Sequence, residues 1–322
     1  NLVRMGHEVT VFEKDERAGG LLTFGIPDFK LEKSIVQRRV RQLEDEGVVF
    51  RYNTEAGKDI DIEELNKEFD AVVLACGSKN PRDLGIPGRD LRGIYYAMDF
   101  LTQQNRKNQG IKTENEIIDT SGKKVLVIGG GDTGADCVGT SVRQGAEKIT
   151  QIEIMDKPPV SRGESNPWPQ YPVVLKISTS HKEAGDKYGN DPREWNILTK
   201  EFLNDGSGNV KGLKAAKAES FTDENGRLGF REIKGTEFII EADIIFLAIG
   251  FTHPVHEGLI KNLGIQLDQR GNVQADEADY KTSTDKYFAA GDVRRGQSLV
   301  VWAIREGREA AKAVDKYLSA NS

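Results

Sequence analysis

Cysteine is nearly absent: Cys76 and Cys137 are the only two in 322 residues. Two thiols cannot ligate an iron–sulfur cluster, and no Cys/His spacing suits a bound metal. Both lie in apolar or Gly-rich stretches and read as buried free thiols, which fits a reducing cytoplasm rather than a disulfide framework. Histidine is scarce too, and the four present, His7, His181, His253 and His256, form no triad or ligand spacing. No apolar run approaches the roughly 18 residues of a membrane span, and no signal peptide opens the chain. Positive charge is not in excess either. The 45 basic residues face 51 acidic ones, a net charge of −6, which argues against a nucleic-acid partner.

The chain does have the apolar content (37%) and the length of a soluble two-domain protein. It also has 34 glycines, and some of these carry chemistry. Val125-Leu126-Val127-Ile128 reads as a buried parallel strand. It runs into Gly129-Gly130-Gly131-Asp132-Thr133-Gly134, and Ala135-Asp136-Cys137-Val138 then opens a helix. Gly129, Gly131 and Gly134 fit G-x-G-x-x-G in the strand–turn–helix context that the motif requires. Such a turn lets backbone N–H groups approach a pyrophosphate, and the helix N-terminus adds partial positive charge.

A second, partial unit of the same kind surrounds this one. His7 to Glu13 alternates in polarity and ends in an acid, as does the second strand of a dinucleotide-binding unit whose terminal Glu meets an adenosine ribose. The first strand and Gly-rich turn of that unit would lie about 25–30 residues before Glu13, ahead of Asn1, so the beginning reads as cut off. A Gly-rich loop (Arg17 to Pro27), a helix (Leu31 to Glu46), a strand (Val48 to Tyr52), a short helix (Ile62 to Lys67) and a buried strand (Asp70 to Gly77) follow. Pro81 to Gly88 reads as a linker. After the strand 149–155, residues 158–190 read as a loop-rich insertion and 210–240 as an antiparallel meander. Residues 242–250 form another buried strand ending in Gly, an echo of 70–77. Tyr287 to Val293 is strand followed by Gly-Asp, and a helix runs from about Trp302 to Leu318. The expected fold is α/β, with two Rossmann-like dinucleotide-binding domains, the second inserted into the first. Residues 1–88 and 252–322 form one domain, and 89–251 form the other.

Val11-Phe12-Glu13, Gly19-Gly20-Leu21-Leu22, Gly129 to Gly134 and Ala290-Gly291-Asp292 together resemble the two-nucleotide-fold flavin reductases. More closely, Trp168-Pro169-Gln170-Tyr171-Pro172, Tyr188 to Arg193 and Ser298 to Arg305 resemble glutamate synthase small (β) chains over essentially the whole sequence. The resemblance implies oxidation of NAD(P)H at FAD. Electrons would then pass through iron–sulfur clusters to a large (α) chain that makes glutamate from glutamine and 2-oxoglutarate. The cysteine-rich domain that usually precedes the flavin domain in such chains is not in this sequence, so the clusters are expected only outside it. A ferredoxin-linked or electron-bifurcating NAD(P)H oxidoreductase and a non-catalytic scaffold without FAD are the alternative readings.

On this resemblance, Glu13 binds the FAD ribose, and Gly19, Gly20 and Leu21 line the pyrophosphate and flavin. Lys30 contributes charge, although a plain surface lysine fits nearly as well. Gly77 and Gly250 allow close backbone approach. Gly291 and Asp292 meet the ribityl chain, and Ser298, Leu299 and Val300 offer N–H groups toward the flavin. Gly129, Gly131, Asp132, Thr133 and Gly134 cradle the nicotinamide dinucleotide. Glu153 ends the next strand, where an acid hydrogen-bonds a free 2′-hydroxyl and repels a 2′-phosphate, so NADH is favoured over NADPH despite nearby Lys157 and Arg162. Trp168 and Tyr171 read as packing within a Pro-rich loop. No catalytic side chain is named, because hydride transfer from nicotinamide to flavin depends on stacking and distance.

Overall fold

The apolar run ahead of the glycines is a strand, Lys124–Ile128, in the computed structural model, which describes residues 1–112 and 117–321. This strand lies at the centre of a five-stranded sheet in the order 94–96, 244–247, 124–128, 148–152, 193–194. Every pairing in the sheet is parallel. Residues along the central strand alternate between two cores. Val125 and Val127 join Phe100, Leu101, Val138 and Ala184 on the helical face. Leu126 and Ile128 join Ile197, Phe202 and Leu213 on the other. Burial on both faces is why these strands are continuous apolar runs rather than alternating ones.

On the helical face lie Ala97–Asn108, Asp132–Gln144 and Thr179–Tyr188. Facing the opposite side is a four-stranded antiparallel sheet built around Val210–Thr222, paired with 197–204, 228–232 and 238–241. These elements make up a unit of residues Phe24–Lys30 and Asp83–Ile249. The helix Thr179–Tyr188 falls inside the stretch 158–190 that reads as loop. Only Ser180, His181 and Ala184 of it are buried, so it has no apolar stripe for a periodicity argument to detect. Ser178 begins it with a capping box, its side chain accepting from the His181 N–H.

The other unit comprises Asn1–Thr23, Leu31–Arg82 and the chain from Gly250 onward. Val9–Phe12 pairs in parallel with Val48–Arg51, and Tyr287–Ala289 pairs in parallel with Val72–Leu74. Helices Lys33–Asp45, Ile62–Glu68 and Val300–Asn321 belong to this unit. Its cores gather around Leu74, Ile260, Tyr287 and Val293, and around Phe288, Ala310 and Val314.

Three expectations change on the structure. The strand expected over 70–77 spans only Val72–Leu74, and Leu74 alone of its residues is buried. Cys76, two residues past the strand end, is consequently exposed, whereas Cys137 is buried. Residues 24–30 cluster with the inserted unit rather than with the domain that opens the chain. The buried Asn105 side chain draws them there by donating to the carbonyls of Phe24 (3.0 Å) and Gly25 (3.2 Å). No described helix is long and apolar enough to cross a membrane.

Candidate functional site

The Gly-rich turn joins strand Lys124–Ile128 to helix Asp132–Gln144, with Gly131 as the N-cap residue. No side chain caps this helix, so the N–H groups of its first turn are left for a ligand. A Cβ at Gly131 would meet nothing within 4 Å, whereas one at Gly134 would lie 2.3 Å from the Gly129 carbonyl oxygen. Gly131 therefore opens toward a ligand, and Gly134 permits close packing beneath it. Gly130, Gly131 and Asp132 are exposed, Thr133 is half-buried, and Gly129 and Gly134 are buried. Exposed backbone donors on a buried frame fit a pyrophosphate.

Glu153 follows the neighbouring strand Lys148–Ile152 and turns its carboxylate onto this loop. Its Oε2 accepts from Gly130 N–H at 2.5 Å, and its Oε1 from the N–H groups of Ile154 (2.8 Å) and Met155 (3.2 Å). The two nearby cations are engaged elsewhere. Lys157 lies over the Trp195 ring at 4.8 Å, and Arg162 donates to the Asn166 carbonyl at 3.2 Å. Beneath the turn, Gln151 and His181 form a buried pair that motif reading does not reach. Burial, with help from Arg193, pushes the His181 pKa down to about 4, so the imidazole is neutral near pH 7.

In the other unit, Glu13 follows strand Val9–Phe12, and its Oε1 accepts from Asp15 N–H at 3.0 Å. Gly19 and Gly20 both have positive φ and lead into a single helical turn, Leu21–Phe24, where Leu21 is exposed. Gly77 (φ 76°) has open space where a Cβ would stand. Gly250 does not, since a Cβ there would fall 2.7 Å from Gln297 Oε1, which itself accepts from Phe251 N–H at 2.8 Å.

The Gly-Asp corner is held by a residue that the sequence reading leaves out. Buried Glu306 accepts from Gly291 N–H at 2.7 Å, Arg294 at 2.9 Å and Arg295 at 2.6 Å. Burial alone would raise the pKa of Glu306, but the hydrogen bonds from Arg294, Gly291 and Arg295 hold it below the usual carboxylate value. Asp292 is oriented by the Ser298 hydroxyl at 2.6 Å. A single helical turn, Asp292–Arg295, follows Gly291, and the long helix expected from about Trp302 begins at Val300. Leu299 and Val300 at its start are exposed. The open faces at Gly20 and Gly77, the oriented Asp292 and the acid at Glu13 fit a second dinucleotide, within this unit alone.

Lys30 is placed differently from the expectation. It lies in the inserted unit, ion-paired with Asp136 of the helix that follows the Gly-rich turn. Trp168 and Tyr171 are 83% and 65% exposed rather than buried in their loop, and the Lys176 ammonium lies over the Tyr171 ring at 4.2 Å. Among the described residues, no group of three or more His, Cys, Asp or Glu is arranged to hold a metal ion.

Residues 1–165 and 196–307 match the family described as pyridine nucleotide-disulphide oxidoreductase. The chain is 47% identical over its full length to the glutamate synthase [NADPH] small chain of Bacillus subtilis and spans 65% of that protein. It is 46% identical to the glutamate synthase [NADH] of Schizosaccharomyces pombe over 98% of this chain, which is 15% of that much longer protein. Among solved structures, FprA of Mycobacterium tuberculosis in complex with NADPH superposes with a TM-score of 0.70 at 18% identity, covering 97% of this chain and 78% of the other.

Proposed function

The chain belongs to the pyridine nucleotide-disulphide oxidoreductase family, on its glutamate synthase small-chain branch, and we propose that it is the portion that oxidises reduced nicotinamide dinucleotide at FAD. The unit with the Gly-rich turn takes the nicotinamide dinucleotide through Gly129, Gly131, Asp132, Thr133, Gly134 and Glu153. The other unit takes FAD through Glu13, Gly19, Gly20, Leu21, Gly77, Gly291, Asp292 and Ser298 to Val300. When bound, FAD supplies a hydride acceptor that can release electrons singly to a further carrier. The protein's task is to hold the reduced nicotinamide and exclude water, with Glu306 fixing the corner that presents Gly291 and Asp292. Electrons then leave toward a glutamate synthase large chain through clusters carried outside this segment, in the cytoplasm. Two free thiols and the absence of a membrane-length described helix are compatible with that setting.

The observation that carries the reading is the uncapped helix N-terminus at Gly131 with the Glu153 carboxylate fixed beside it. The same carboxylate supports NADH over NADPH. The relatives named above include one of each kind, so the choice rests on Glu153 and on the engagement of Lys157 and Arg162 elsewhere. Titrating the purified protein with FAD, followed by flavin fluorescence, tests the first half of the proposal. Saturable binding at micromolar concentration or below is expected, and failure to bind would leave only the scaffold reading. Initial rates with each nucleotide test the second half. A higher kcat/KM with NADPH would overturn the NADH preference.

A further inference from the structure

Behind the Gly-rich turn, on the side away from solvent, runs a chain of hydrogen bonds with a fixed direction. Gln151 is 1% exposed and His181 6%. The Gln151 side-chain amide donates to the Gly129 carbonyl at 2.7 Å, and its Oε1 lies 2.8 Å from His181 Nε2. His181 Nδ1 faces the Ser178 backbone N–H at 3.4 Å and the Ser178 hydroxyl at 3.1 Å. A backbone N–H can only donate, so Nδ1 is the acceptor and the imidazole proton sits on Nε2. That proton meets Gln151 Oε1, which leaves the amide N–H₂ to point at Gly129. Only one arrangement satisfies every member.

The consequence concerns the peptide between Gly129 and Gly130. In a trans peptide the C=O and the following N–H point in opposite directions. With the Gly129 carbonyl drawn inward by Gln151, the Gly130 N–H must face outward, where it meets Glu153 at 2.5 Å. Gly129 has a φ of 120° and is followed by two more glycines, so side-chain sterics do little to stop this peptide from rotating. Gly134 completes the device, because a Cβ there would lie 2.6 Å from Gln151 Nε2 as well as against the Gly129 carbonyl.

We propose that Gln151, oriented by His181, is a positioning residue that locks the Gly129–Gly130 peptide with its N–H toward the bound nicotinamide dinucleotide and Glu153. Helix Thr179–Tyr188, whose sequence carries no dinucleotide motif, thereby becomes part of the nucleotide site through His181. The inference rests on the assignment of this unit to the nicotinamide nucleotide.

The test is the dissociation constant for NADH, read from nucleotide fluorescence on the FAD-loaded protein, with steady-state KM and kcat alongside. Gln151→Glu keeps the shape and removes the donor. It is expected to weaken NADH binding and raise KM about tenfold, as loss of a buried hydrogen bond to the turn would, with kcat within about twofold. His181→Leu, which leaves Gln151 in place but unoriented, is expected to weaken binding about threefold. His181→Gln, which retains an N–H donor, should restore most of the affinity. The two losses should not add in the double variant, because the residues act as one unit. FAD content and circular dichroism identify folded variants, and if Gln151→Glu does not fold, the two His181 variants decide. Wild-type affinity in a folded Gln151→Glu or His181→Leu protein would overturn the relay while leaving the nucleotide assignment intact. A parent protein that does not bind NADH would overturn the assignment, and the relay with it.

Discussion

Glu153 Oε2 and the backbone N–H of Gly130 are 2.5 Å apart, which ties the end of one strand to the glycine turn that follows its neighbour. A dinucleotide lying on that turn brings its adenosine ribose to the end of the second strand. A full negative charge there favours a free 2′-hydroxyl over a phosphate. Replacing Glu153 with Gln is therefore expected to shift the NADH-to-NADPH ratio of kcat/KM toward NADPH by about tenfold, on the order of one charge–charge contact in a partly solvated site. Steady-state kinetics with both nucleotides measures the shift.

Gly131 and Gly134 belong to one motif but are expected to fail in different ways. Gly131→Ala places a methyl group in open space, so the fold should persist while NADH affinity drops. Gly134→Ala drives a Cβ to within 2.3 Å of the Gly129 carbonyl oxygen and should destabilise the protein by about 1–3 kcal/mol, as overpacking does. Thermal denaturation separates the two variants, and binding measurements on whichever remains folded complete the comparison.

Glu306 satisfies a backbone N–H and two arginines from a position only 1% exposed. Removing its charge leaves Arg294 and Arg295 with the more exposed Glu277, at 3.8 and 3.0 Å, as a carboxylate partner, and frees the buried Gly291 N–H. Glu306→Ala is therefore expected to cost about 3 kcal/mol of stability and to weaken FAD retention through the freed Gly291–Asp292 corner. Its lowered pKa adds a pH dependence. A carboxylate depressed in the folded state contributes fully above its unfolded pKa, and that stabilisation is lost as pH falls through the folded value. Melting temperature measured across the acid range, with and without the substitution, checks both points.

His181 gives a second pH signature, in a different window. Its folded pKa is about 4, against 6.5 for the free side chain, so the unfolded chain binds the extra proton between those values. Stability should fall as pH drops from about 6.5 toward 4, by a total on the order of 3 kcal/mol, and level off below that. His181→Gln should remove this part of the pH dependence in urea unfolding curves.

Much of the fold could be read from the chain because buried parallel strands are long apolar runs, as Lys124–Ile128 and Ile244–Leu247 are. The glycine turn and the acid at Glu153 could be read because spacing alone defines them. What escaped depends on contacts between distant residues. Gln151 is a buried polar side chain bonded to a turn 22 residues away. His181 sits on a helix whose buried face is otherwise Ser180 and Ala184. Glu306 lies in a charged stretch, Arg305 to Glu309, that looks like a solvated helix face. Cys76 misleads in the opposite way, because the apolar run around it continues past the point where the strand ends at Leu74.

On the proposed function, this chain holds FAD in one unit and accepts reducing equivalents from a nicotinamide dinucleotide held in the other. Anaerobic rapid mixing of the FAD-loaded protein with NADH, following the loss of oxidised-flavin absorbance, tests it most directly. Saturable bleaching is expected, weakened by Gly131→Ala without loss of bound FAD. A protein that retains FAD and shows no bleaching with either NADH or NADPH would contradict it.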